Sequence, residues 1–154
     1  MEISINSRFA PAIADEQVAH AQSYKTIEWL NSESIVNHED IVVFKRFKPA
    51  GKLDRRIGID ETGMECSLNH FHVPCESIHE GVAVALILFD KVTKLWHGTP
   101  ENDGKKIRQI VSIAQAIDEV APFDLSFRFH LVRAHQSWLL SDLDAYEEII
   151  LVCE

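Results

Sequence analysis

Residues 82–90 read VAVALILFD, residues 99–121 read TPENDGKKIRQIVSIAQAIDEVA, and residues 125–133 read LSFRFHLVR. How these three stretches divide between helix and strand decides the fold. The first is almost wholly apolar and follows Gly81, which predicts a central strand covered on both faces. The second opens on Thr99-Pro100-Glu101, a capping hydroxyl followed by proline and an acid in a first turn. Ile107, Ile110, Val111, Ala114, Ile117 and Ala121 then fall on one stripe, so a helix is predicted over 101–121, ended by Pro122. The third alternates: Phe127, Phe129 and Leu131 share one face, and Arg128, His130 and Val132 share the other. Strand, helix and strand in that order suit a right-handed βαβ crossover, with an antiparallel return as the other reading.

Upstream, Ile41–Lys48 is β-branched and aromatic and stops at Pro49-Ala50-Gly51. Leu53–Asp60 and Met64–Val73 follow, separated by Asp60-Glu61-Thr62-Gly63, and the three segments read as an antiparallel meander. A small apolar face over residues 14–31 predicts a peripheral helix. Near the end, Ser141 is placed to cap a short helix through Tyr146, while Ile149–Cys153 reads as a last strand or the end of that helix. The fold class is α+β or α/β. One mixed, largely antiparallel sheet of five or six strands carries two or three helices, and residues 1–154 form a single globular domain.

Apolar residues make up 46% and charged residues 25%, the balance of a chain that folds around a core. Three cysteines, Cys66, Cys75 and Cys153, do not make a disulfide framework, which points to a reducing, cytoplasmic setting. No apolar run approaches the roughly 20 residues of a membrane span. The net charge is −9, which repels nucleic acid and anionic membranes and attracts basic partners. The acids Asp142, Asp144, Glu147 and Glu148 are expected to lie on such an acidic contact surface. Against this background, Lys45, Arg46, Lys48, Lys52, Arg55 and Arg56 form a basic island spanning a predicted hairpin. With Phe44 and Phe47 interleaved, residues 45–56 could contact a phosphate or an acidic protein surface; beyond them acids dominate again, apart from the short cluster Lys105, Lys106 and Arg108. A solvated hairpin is the plainer reading.

Chemistry-bearing side chains gather at Cys66, His70, His72, Cys75 and His79. On a strand His70 and His72 project from the same face, and after Pro74 the chain can bring Cys75, Glu76 or His79 beside them. Histidine and thiolate suit zinc; two histidines and a carboxylate suit iron. The alternative is that these residues simply finish a sheet face, with Cys75 a small buried apolar group. Cys75 as an activated thiolate, and an acid–base set from His130, His135 and Ser137, are further readings. Trp96 reads either as a loop anchor or as part of a ligand-binding loop after the central strand. No glycine-rich phosphate loop or nucleophile elbow is present in the sequence. The expectation is a non-catalytic acidic module of inhibitor, immunity or adaptor type that binds a basic protein without a cofactor. The alternative is a metal-dependent hydrolase or lyase built on His70, His72, Cys75 and His79.

Overall fold

The computed structural model describes residues 2–7, 25–53, 59–116 and 121–154. In chain order the elements are β1 (Ile3–Ile5), β2 (Ile35–His38), β3 (Ile41–Phe44), α1 (Glu61–Leu68), β4 (Phe71–Cys75), α2 (Ile78–His97), β5 (Ile107–Gln115), β6 (Phe123–Leu131) and β7 (Ile149–Cys153). Five strands form an antiparallel sheet in the order β1-β7-β5-β6-β4, and β2 and β3 form a separate hairpin. The protein is therefore of the α+β class, with a second small sheet beside the expected one.

The apolar run 82–90 is helical, not a strand. The cause lies just before it. Ser77 caps the helix by accepting from the Glu80 amide (3.1 Å), and the Glu80 carboxylate reaches back to the Glu76 amide (2.6 Å). This Ser-x-x-Glu start, close to a capping box, satisfies the Glu80 amide that a helix otherwise leaves open and ties the residue before the cap to the first turn. Gly81, Ala85, Leu88, Val92 and Trp96 then fall three or four residues apart and are buried. The contact with the sheet is close: a Cβ on Gly81 would stand 2.9 Å from the Ile113 Cδ1. Trp96 closes the helix as an anchor, its indole N–H donating to the Lys105 carbonyl (2.9 Å).

The converse error concerns 101–121. Its Thr-Pro start makes only a 3-10 turn, Pro100–Asn102, and the chain reverses through Asp103 and Gly104, both left-handed. Residues 107–115 are the central strand β5, hydrogen-bonded to β6 on one side and β7 on the other. Ile107, Gln109, Val111 and Ile113 alternate toward α2, where the Gln109 amide donates to the Phe89 carbonyl (3.2 Å). Ile110 is buried on the opposite face, and burial on both faces produced the helix-like stripe. Four β-branched residues in a two-sided strand settle the competition. β5 and β6 pair antiparallel, so no βαβ crossover is made here. Residues 117–120 of the predicted helix lie outside the described residues.

The segment Met64–Val73 is not one strand. Asp60 caps α1 by accepting from the Gly63 amide (2.7 Å), and Leu68 ends it. The face that α1 buries includes two polar side chains, Glu65 and Asn69. These join the two sheets. β6 runs past the end of β4, whose pairing reaches only Phe127, which leaves the Phe129 carbonyl and the Leu131 amide without a strand on that side. Asn69 donates to Phe129 O (3.3 Å) and Val42 O (2.8 Å) and accepts from Phe44 N (3.0 Å). Glu65 accepts from Leu131 N and Val42 N (each 2.8 Å). One helix face thus satisfies the open edges of β3 and β6 together.

Elsewhere, the expected strand Ile41–Lys48 ends at Phe44 and gives way to a 3-10 turn, Lys45–Phe47. The core of the expected strand Leu53–Asp60 (54–58) and residues 14–24 of the expected helix lie outside the described residues. Residues 25–27 are helical and run into a 3-10 turn, Glu28–Ser32. Near the end, Asp142 rather than Ser141 caps a 3-10 turn, Leu143–Ala145, and Ile149–Cys153 is β7, placed between β1 and β5. Residues 2 and 154 exchange backbone hydrogen bonds (3.0 and 3.1 Å), so β1 and β7 are zipped to their ends.

Candidate functional site

The segment between β6 and β7 shows the most unusual surface. It begins with a tight turn in which Arg133 bridges Gln136 and His135 adopts a left-handed conformation. Gln136 fixes this turn to the start of α1: its carbonyl accepts from the Thr62 hydroxyl (2.9 Å), and its amide donates to Glu61 (3.0 Å). Leu140 N donates to the Tyr146 hydroxyl (3.0 Å). Asp144 accepts from both the amide and the hydroxyl of Ser7 (2.7 Å each), and Leu143 O accepts from Asn6 (2.5 Å). Held at these points, the loop exposes Trp138 (41%) and Leu140 (61%). Asp142, Glu147 and Glu148 are exposed beside them. Behind the loop lies a cleft of about 400 Å³ lined by Arg108, Leu139, Leu140, Leu143, Val152 and Glu154, the Arg108 guanidinium being ion-paired with Glu154.

A second polar group stands on the sheet face turned away from α2. His72, Ser126 and Ser112 form one row across β4, β6 and β5. The two serine hydroxyls are 2.7 Å apart, and His72 Nδ1 meets Asp124 Oδ2 at 2.5 Å. Arg128, one step along β6, donates to Ser126 Oγ (3.1 Å) and to His70 Nε2 (3.0 Å). Burial, together with the charges of Arg128 and His72, lowers the His70 pKa to about 4, so its ring is a neutral acceptor at pH 7. Burial also lowers the Arg128 pKa from its ordinary value.

Strand parity divides the expected metal ligands. His70 and His72 do come together, ring centroids 4.5 Å apart, but one ring is engaged by Arg128 and the other by Asp124. Cys75 shares the opposite, inward face with Val73, and its thiol donates to Val73 O (3.4 Å). Burial pushes that thiol up to about 12, which removes the activated-thiolate reading; Cys66, on the buried face of α1, is likewise pushed up to about 12. His79 stands on the first turn of α2. Among the described residues no group of three or more His, Cys, Asp or Glu side chains is arranged to hold a metal ion.

His130 is on the outward face as expected but is buried, its Nδ1 donating to Leu131 O (2.7 Å); burial lowers its pKa. It is not gathered with His135 and Ser137 into a hydrogen-bonded set, since the Ser137 hydroxyl donates to Leu139 O (2.8 Å). In the basic island Lys45, Arg46 and Lys48 lie on and after the 3-10 turn, not along a hairpin, and Arg55 and Arg56 lie outside the described residues. Arg46 stacks over Trp29 at 4.3 Å from the ring centroid and pairs with Glu33 at 3.8 Å, which occupies the cation internally. Sequence patterning missed Arg128 because a single arginine in an alternating strand carries no signal of its own.

A family model described as "Uncharacterized protein PM0498 family" matches residues 4–154. No curated protein and no solved structure matches the chain.

Proposed function

For this chain, which belongs to the PM0498 family, we propose a non-catalytic role: an acidic module of inhibitor, immunity or adaptor type that binds a basic protein through the 137–148 loop. The observation that carries this reading is the exposure of Trp138 and Leu140 on a loop pinned at both ends and edged by carboxylates. A large aromatic ring that is already held in place loses little freedom when a partner covers it. Such anchors dominate binding energy at protein interfaces, and surrounding acids steer a basic partner and set the orientation of approach. The net charge of −9 extends the steering field beyond the loop.

The test uses the tagged full chain as bait in an extract of its source cells, followed by affinity measurement with the purified captured protein. The expected partner is basic. Its affinity should fall by about tenfold or more with Trp138→Ala and by a smaller factor with Glu147→Gln plus Glu148→Gln. Raising salt should weaken the wild-type complex more than that double variant. A captured protein whose binding ignores both the loop variants and the salt concentration would refute the reading.

A further inference from the structure

Among the described residues Arg128 makes no ion pair: the charge of Glu148 acts on it, but neither of its hydrogen-bond partners is a carboxylate. Its hydrogen-bond partners are Ser126 and His70, and both are neutral acceptors. Those two bonds use two of the five guanidinium donors. A half-buried cation normally meets a carboxylate, because desolvation without a partner is costly. We propose that Arg128, with Ser112, Ser126 and His72, forms a binding site for a small monocarboxylate.

The surroundings fit that class of ligand. The hydroxyls of Ser112 and Ser126 are paired, which spends one of their two protons and leaves the other to donate, and His72 stands in register with both on the neighbouring strand. His72 is 55% exposed and is oriented by Asp124 through Nδ1, which leaves Nε2 turned away from Asp124 and available to the ligand. The Trp138 ring lies 5.9 Å from the Arg128 guanidinium and supplies an apolar wall for the carbon chain of the ligand. One guanidinium matches one negative charge. A dianion would bring a second charge near Asp124, into a protein of net charge −9. The proposal does not rest on the protein-binding role, although the two regions share Trp138 and the charge of Glu148 reaches Arg128.

The test is a titration of the ¹⁵N-labelled full chain with sodium propionate, at ionic strength held constant with sodium chloride. The Arg128 Nε–Hε resonance and the ring nitrogens of His72 are read by NMR. The expected result is a saturable shift of both, with a Kd on the order of 1 mM. Arg128→Met should abolish it, and Arg128→Lys should weaken it by about tenfold, since an ammonium does not reproduce the planar fork. If Arg128→Met fails to fold, the wild-type titration and the lysine variant decide the matter. A shift that does not saturate, an equal shift from chloride alone, or tighter binding of inorganic phosphate than of propionate overturns the proposal.

Discussion

Two arginines five residues apart have opposite surroundings. Arg133 lies just beyond β6 and grips Glu65 with both ends of its guanidinium (2.6 and 2.7 Å), while also donating to Asp40 O (2.9 Å). Arg128, inside β6, donates among the described residues to neutral acceptors, and the charge of Glu148 acts on it without an ion pair. Burial raises the Glu65 pKa above the ordinary carboxylate value, against the pull of the bonds from Arg133, Val42 and Leu131. Each Glu65 oxygen already receives two donors, which leaves no place for a proton, so the pair is ionic. Partial burial by itself would lower the Arg133 pKa; the hydrogen bonds and charge of Glu65 carry it above its ordinary value. The difference teaches that burial of a cation is not one phenomenon. Where the carboxylate is fully matched and the guanidinium grips it with both ends the cluster is structural, and where a cation has no such partner its remaining donors are available to something else.

Breaking the matched cluster should have the largest effect. Glu65→Gln places an amide donor against the Leu131 or Val42 amide and strands Arg133, and the expected loss is about 3–5 kcal/mol. Urea denaturation followed by circular dichroism measures it, and a loss under about 1 kcal/mol would show that α1 does not hold the sheets together through this pair. Asn69→Ala should cost less, about 1–3 kcal/mol, because it opens three neutral backbone groups and no charge. The same denaturation series ranks it, and a larger loss than for Glu65→Gln contradicts the ordering. Arg128→Met should change stability least, within about 1 kcal/mol of wild type, since it removes a cation without stranding a carboxylate. A loss on the scale of Glu65→Gln would place Arg128 among the structural residues after all.

Sequence patterning made β6 readable because its alternation is clean from Leu125 to Leu131, whereas Ile149–Cys153, a short apolar run without a period, stayed open between a last strand and a helix end. It misassigned 82–90 and 107–115 as a pair. A run buried nearly all round has no period to read, and the decisive signal was outside it, in Ser77 and Glu80. In β5 the outward Ile110 broke the alternation and imitated a helical stripe. In α1 hydropathy pointed the wrong way, because Glu65 is buried beside Cys66, and Asn69 just past the helix end is buried too, while a pattern scored on apolar character counts both polar residues as surface. The parity of β4 was available in advance: His72 and Cys75 differ by three, which on any strand puts them on opposite faces. The acidic loop was legible as charge. That Trp138 and Leu140 stand exposed beside it depends on contacts with Asn6, Ser7 and Thr62, more than seventy residues away in sequence, which no local pattern contains.

The pairing of residue 2 with residue 154 fixes how the molecule responds to tension. A force drawn outward on the two extremities meets their ladder at its open end, so the bonds of β1 against β7 take the load one after another instead of all at once. The sheet should peel from this corner at low force, while β5 and β6, joined along nine residues deeper in, stay shielded until the corner has come away.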